Sequence, residues 1–505
     1  MNNYKHIELA KTIDWGDIDG LYDPNINSCF IDIEYKHSLL NTNKCFVVGR
    51  KGTGKSALYH WLETNQNDYN IMVENLSFND FPFEKLLYLS DNDFSKPNQY
   101  QSIWKNIIYT EIARLIISDQ TNISDESWLE LAAYIKYVFG KNVVDLHKEV
   151  TRLSTKTSTC IGYDNSHISS SNGLETDLYD NFHNITKINE RLWLVINSYV
   201  KRNPTKQYII QFDQLDDNYT TYINRGEYLQ CLISLFKSIY QINQSFKKDR
   251  VPIKIIAYIR SDIYNQFNSH DPESSRWEQY VLKLNWAIIN KTDWHNCNLL
   301  KMLNARIINS YPELKDITKS PFHSIFNKYE IDLKYRKCKS PEDIFKYIIH
   351  RTLQRPRDVL QFCIKIQEEI LKTNRLDFTT IKNAEKEYSL WLLSELENEI
   401  TPMIGDIKAL YEMLRLFGRT PYTLDKFRKI YASYASKFPN IKSADELLEI
   451  LYGFGVIINV RLENKKIVEQ FSTIRNDRSV FNRDLNIITH SGFYEGLHTS
   501  KFLSR

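Results

Sequence analysis

The densest chemical signal in the chain is Gly49-Arg50-Lys51-Gly52-Thr53-Gly54-Lys55-Ser56. The spacing is G-x-x-x-x-G-K-S, the pattern of a loop that cradles phosphates. Glycines at Gly49, Gly52 and Gly54 let the backbone curl until the N–H groups around Thr53, Lys55, Ser56 and Ala57 point at an anion. A helix opening at Ser56 adds the positive end of its dipole. Lys55 is expected to reach the outer phosphates of ATP, and the Ser56 hydroxyl to bind Mg²⁺. A second stretch, Tyr208-Ile209-Ile210-Gln211-Phe212-Asp213, reads as a buried strand ending in an acid. Asp213 is the expected second Mg²⁺ group. The following position, where an acid often activates water, is Gln214. An amide cannot act as a base, so Asp216 or Asp217 substitutes or hydrolysis is slow.

Two arginines fit roles that depend on the terminal phosphate. Arg260 ends the apolar run Pro252–Ile259, where a polar strand tip can sense it. Arg357 lies in the first turn of a helix opened by Pro356, as a lid residue able to tell ATP from ADP. Arg276, just before a last strand at Tyr280–Trp286, is a candidate finger for a neighbouring subunit. Lone histidines such as His490 read as core or surface groups rather than catalysts.

The elements that must carry these groups follow from pattern. Lys44–Val48 is a short buried strand, and Tyr69–Leu76 a second one. Residues 80–200 read as an inserted helical block, with helices at Tyr100–Ile117, Trp128–Phe139, Val143–Leu153 and Leu178–Val200 and a polar loop at Ser154–Thr176. Glu227–Asn243 is an amphipathic helix. Helices then dominate: Trp294–Ile308, and another opened by Ser340-Pro341-Glu342-Asp343. In the last third come Ile407–Phe417, Leu424–Ser436 capped by Thr423, a helix opened by the box Ser443-Ala444-Asp445-Glu446, and a hairpin from Val456 to Thr473. The expected architecture is α/β: a P-loop NTPase parallel sheet with a helical insertion, a helical lid and a C-terminal winged-helix-like domain. Its boundaries are a lead-in at 1–43, a core at 44–290 with the insertion at about 80–200, a lid at 291–400 and the winged-helix-like part at 401–505.

Composition narrows the partners. The 505 residues carry 65 basic and 62 acidic side chains, a net charge of +3, so no overall field favours nucleic acid. No apolar run reaches the roughly 18 residues of a membrane span, and the N-terminus lacks a signal-peptide core. The seven cysteines are scattered without a Cys-x-x-Cys pair, which argues against zinc and disulfide frameworks. A cytoplasmic protein without membrane contact is expected. The third helix of the winged-helix-like part, Ala444–Tyr452, has three acids and no Lys or Arg. Acids facing phosphates are repelled, so insertion into a DNA groove is disfavoured, although Lys465 and Lys466 at the hairpin tip allow a weak contact.

Together, Gly49–Leu58 (GRKGTGKSAL), Ile209–Asp217 (IIQFDQLDD), Ile255–Asp262 (IIAYIRSD), Leu284–Trp286, Arg355–Val359 (RPRDV) and Ile488–Phe493 (ITHSGF) resemble the STAND and origin-recognition branch of AAA-type P-loop ATPases. They resemble more narrowly a bacterial family of that branch known mainly from genome surveys. The resemblance implies an ATP/ADP-driven switch, with ATP and Mg²⁺ as cofactors. It also implies a homo-oligomer, a protein effector or partner, and a setting in antiphage defence. Slow hydrolysis agrees with Gln214. The competing expectation is a DNA-binding loader or remodeller of the origin-recognition type.

Overall fold

The computed structural model describes residues 3–78, 98–139, 185–215, 225–288, 294–326, 343–474 and 479–499. The expected helix at 143–153, the loop at 154–176, the start at Ser340–Glu342 and both Asp216 and Asp217 lie outside the described residues. The chain divides into two units: residues 37–48 with 59–283, and residues 1–36, 49–58 and 284–505.

The first of these is mixed α/β. Its parallel sheet contains β1 (Phe46–Gly49), β2 (Ile71–Ser77), β3 (Gln207–Asp213), β4 (Ile253–Arg260) and β5 (Val281–Lys283), in the order β2-β3-β4-β1-β5. Strands β1 and β4 are buried along their whole length, and β3 nearly so. Such unbroken apolar runs suit a parallel sheet covered on both faces. In chain order the labelled helices are α1 (Asn3–Lys11, of the second unit), α2 (Lys55–Thr64, which starts in the second unit), and, in the first unit, α3 (Gln101–Ser118), α4 (Glu126–Phe139), α5 (Ile185–Arg202), α6 (Arg225–Lys248) and α7 (Ser261–His270). Helix α3 packs against α4, α5 and α6. It is buried on almost every side, and its Trp104 indole N–H donates to the Cys231 carbonyl (3.1 Å). Phe46 of β1 stacks on Phe236 of α6 (4.6 Å), joining sheet and helices in one core. The last strand is only Val281–Lys283, shorter than the expected Tyr280–Trp286.

Lys254 stands in β4 with both neighbours buried. Its ammonium donates to the Leu39 carbonyl and to that of Thr42 (2.8 Å), at the end of the short helix Tyr35–Asn41. A cation at a helix C-terminus is favourable, which offsets part of its burial cost.

The second unit holds α8 (Asn298–Ser310), α9 (Ile344–Arg351), α10 (Pro356–Thr373), α11 (Phe378–Ile404), α12 (Ile407–Arg415), α13 (Leu424–Tyr434) and α14 (Ala444–Gly453). It also holds an antiparallel sheet of β6 (Ile457–Glu463), β7 (Lys466–Phe471) and β8 (Asn486–Thr489), ordered β7-β6-β8. Helix α9 is capped by Asp343, whose carboxylate accepts the Lys346 N–H (3.1 Å). The cap is therefore three residues later than Ser340, because Asp343 itself reaches the third helical amide. Helix α10 begins at Pro356 as the sequence predicts, and Thr423 and Ser443 cap α13 and α14. The hairpin β6–β7 turns through Asn464 and Lys465, both with positive φ (50° and 63°), the backbone of a two-residue primed turn. Strand β8, a four-residue run, went unrecognised in the sequence; it pairs with β6.

Residues 1–36 of the lead-in belong to this unit. Helix α1 packs on α10, where Gln367 donates to the carbonyls of Ala10, Lys11 and Ile13 (3.2, 3.0 and 2.8 Å). Asp23 and Arg306 form a buried ion pair between the lead-in and α8. Among the described residues no helix is long and apolar enough to cross a membrane. Their five cysteines are free thiols, and no group of His, Cys, Asp and Glu could hold a metal by itself.

Burial lowers the Lys254 ammonium from 10.5 to about 8. The folded state then holds fewer protons than the unfolded chain between these values, so this group makes stability rise with pH across about pH 8 to 10.5. Urea unfolding of wild type and Lys254→Met at pH 8, 9 and 10 checks this. Wild type should gain on the variant by up to about 1 kcal/mol per pH unit. Parallel profiles would refute it.

Candidate functional site

In the second unit, the loop leaving Gly49 turns through two left-handed glycines, Gly52 (φ 78°) and Gly54 (φ 89°). The Thr53 N–H closes the turn on the Arg50 carbonyl (3.2 Å), and the Thr53 hydroxyl donates to the same oxygen (2.7 Å). Helix α2 then starts at Lys55, and the Leu58 N–H closes its first turn on the Gly54 carbonyl (3.0 Å). The Lys55 ammonium bends back to the carbonyls of Gly49 (3.2 Å) and Arg50 (3.4 Å). Loop amides, a helix start and a lysine folded onto its own loop together form a cradle suited to an anion.

Residues distant in sequence hold this loop. The Trp286 indole N–H donates to the Thr53 carbonyl (2.9 Å), and Arg50 donates to Phe454 O (3.0 Å). The Arg357 amide donates to Gly52 O (3.3 Å). A Cβ placed on Gly52 would lie 2.9 Å from that of Arg357, so glycine is required there by space as well as by φ. Gly20 of the lead-in comes as close on the other side: a Cβ there would be 2.8 Å from the Ala57 nitrogen. Lys51 pairs with Glu395 (3.3 Å) and Glu399 (3.6 Å), and Arg357 with the same Glu395 (3.2 Å). Behind them Arg355 and Asp358 form a buried two-pronged pair, both contacts 2.8 Å.

The structure thus brings Arg357 to the loop that carries Lys55, Ser56 and Ala57. Gly20, Arg50 and Glu395 were missed by sequence reasoning. Nothing local marks Glu395 on an amphipathic helix, and Gly20 reads as an ordinary turn residue.

In the other unit, Asp213 ends β3 and is buried. Gln214 beyond it takes φ 60° and accepts a hydrogen bond from the Ser77 hydroxyl. Arg260 ends the adjacent strand β4, but its guanidinium is bound two-pronged to Asp262 (3.0 and 2.7 Å) in the first turn of α7. Under Asp213, Gln211 donates to Asn75 (2.9 Å) and to the Tyr59 carbonyl (3.1 Å), and accepts from the Tyr258 hydroxyl. Burial, reinforced by the Asp213 carboxylate, holds the Tyr258 hydroxyl far above its usual range, so it stays a donor. Arg276 is exposed and pairs only loosely with Glu273 (3.7 Å). His490 is buried and caps the turn at Ser491–Phe493, its Nδ1 accepting the Gly492 N–H (3.1 Å). Burial, with Arg50, His350 and Arg351 nearby, lowers it to about 3, so it is neutral and structural.

Residues 297–397 match the family model of the FunZ-associated C-terminal helical domain. That stretch contains Arg306, Arg355, Arg357 and Glu395. Over 525 aligned positions the chain is 26% identical to the "Putative transposon gamma-delta 80.3 kDa protein" of Escherichia coli (strain K12), covering 97% of this chain and 68% of that protein.

Gly52→Ala combines a left-handed backbone with a clash against Arg357, whereas Gly20→Ala meets only the space limit at Ala57. Both should lower the thermal transition, Gly52→Ala by the larger amount, on the order of 1–3 kcal/mol. Calorimetry of the two variants beside wild type checks the order. Equal or absent shifts would mean that the loop does not need this packing.

Proposed function

We propose that the chain is an ATP-binding P-loop NTPase acting as a slow molecular switch, which controls self-assembly or a partner effector. The observation that carries this reading is the backbone of the Gly49–Ser56 loop. It combines left-handed glycines at Gly52 and Gly54 with a lysine ammonium drawn onto loop carbonyls at the start of a helix. These groups fit a nucleotide's phosphates and an accompanying Mg²⁺. When bound, ATP supplies the phosphoryl charge and Mg²⁺ neutralises part of it. Lys55 and the loop amides would hold the phosphates, and the Ser56 hydroxyl would hold the metal.

The sheet order supports the same reading. β1 is followed in the chain by β2 at the far edge, while β4 returns beside β1. Ligands of open parallel sheets bind beyond strand carboxyl ends at such a reversal. Gln214 has no basic group, so Asp216 or a slow rate remains the proposal for water activation. Arg260, engaged by Asp262, would have to exchange that partner to sense a phosphate. Arg357 already meets the loop through its amide at Gly52. We read α12–α14 with β6–β8 as the winged-helix-like part and α8–α11 as the lid. The family resemblance adds antiphage defence as the setting.

A DNA-binding loader is the second reading, favoured by the relative's transposon name and by Lys465 and Lys466 at the hairpin tip. Against it, α14 carries three acids, two of them paired among the described residues. Asp445 pairs with Arg428 (2.9 Å) and Arg483 (3.3 Å), and Glu449 with Arg483 (3.1 Å).

Mass photometry and calorimetry of wild type, Lys55→Ala and Asp213→Ala with ATP and Mg²⁺ test the proposal. Wild type should bind ATP and shift to a larger mass. Lys55→Ala should lose at least about tenfold in affinity, and neither variant should assemble. A wild type that binds no nucleotide overturns the proposal. Turnover that appears only with duplex DNA, with affinity falling steeply in salt, replaces it by the loader.

A further inference from the structure

We infer that Glu395 is the residue that sets the loop's discrimination between a nucleoside triphosphate and a diphosphate. The inference rests on the nucleotide reading above and adds a competitor to it. Glu395 lies on α11, one turn before Glu399, so the two carboxylates share a face. Its carboxylate is the common partner of two cations, Lys51 Nζ (3.3 Å) and Arg357 Nη1 (3.2 Å). Glu399 also pairs with Lys51 (3.6 Å). The other charges packed here, Arg355 and Asp358, neutralise each other.

Arg357 is anchored by its backbone, while its guanidinium reaches Glu395 through Nη1 (3.2 Å). Its amide is bound to Gly52 and its Cβ rests where a Gly52 side chain would stand. The guanidinium can therefore change partners by side-chain rotation alone, without moving the helix start. Glu395 and a ligand phosphate compete for the same two cations, because each is an acceptor-only anion suited to guanidinium and ammonium. A diphosphate carries less charge with which to displace the carboxylate. A triphosphate brings a further phosphoryl group, takes over Lys51 and Arg357, and leaves Glu395 without its partners. The free-energy gap between the two nucleotides is thus set by how firmly Glu395 holds the cations. The release of Glu395 would also tell α11 which nucleotide is bound.

Isothermal titration of ATP and ADP, each with Mg²⁺, into wild type, Glu395→Gln and the double variant Glu395→Gln/Lys51→Met tests this. The isosteric glutamine keeps the packing but removes the charge. ATP affinity should rise about tenfold and ADP affinity less than about threefold in Glu395→Gln, so the ratio widens. The double variant should lose most of the gain. A wild type that binds both nucleotides, with a ratio unchanged in Glu395→Gln at a wild-type thermal transition, overturns the inference and leaves the nucleotide reading standing. A wild type that binds neither overturns both.

Discussion

Helix α10 can start against the Gly49–Ser56 loop only because Gly52 has no side chain. The missing Cβ leaves the space that the Arg357 Cβ occupies, and the positive φ turns the Gly52 carbonyl to meet the Arg357 amide. Much of the unit's arrangement around the loop follows from this contact. Pro356 sets the first helical dihedral, and Arg355 closes on Asp358 beneath it. Lys51 and Arg357 then lie close enough to share Glu395. Gly20 repeats the device at the first turn of α2, and the lead-in that carries it is tied to the helices by the buried Asp23–Arg306 pair. Close backbone approach, rather than side-chain bulk, shapes the loop's surroundings.

The parallel sheet solves a different problem. Its central strands are buried on both faces, so every polar side chain on them needs an internal partner. Gln211 uses both ends of its amide, reaching Asn75 on β2, Tyr258 on β4 and the Tyr59 carbonyl. One side chain thereby cross-links three strands and a helix directly below Asp213. Lys254 is satisfied by two carbonyls at a helix end, yet burial still depresses its ammonium. These polar groups cost more to bury than apolar ones of the same size. What they add is register and orientation, which apolar packing alone leaves loose.

Charge is handled in the α14 region by pairing across segments. Asp445 and Glu449 are answered by Arg428 from α13 and by Arg483 from the segment before β8. These pairs are exposed and contribute little to stability. They reduce the negative potential that the helix sequence alone would present.

Local order was readable from residue types. The glycine spacing at Gly49–Ser56, the apolar runs of β1, β3 and β4, Pro356 at a helix start, and the caps Thr423 and Ser443 depend on neighbours within a few positions. Backbone sterics and short-range hydrogen bonding decide such features, so they are written in the chain. The short strand β8 was not readable, because four residues become a strand only when β6 supplies the ladder. Asp343 replaced Ser340 as the cap of α9, a choice of one helical turn that composition leaves open. Long-range neighbours had no local mark at all. Glu395 and Phe454 lie more than 300 positions from the loop residues they contact, Trp286 more than 200 and Gly20 more than 30. The sequence by itself determined that a glycine-rich turn opening a helix and an acidic strand end exist. Only the tertiary structure decided which carboxylate faces the loop's cations and which glycines must stay bare, because those depend on distances that no spacing in the chain encodes.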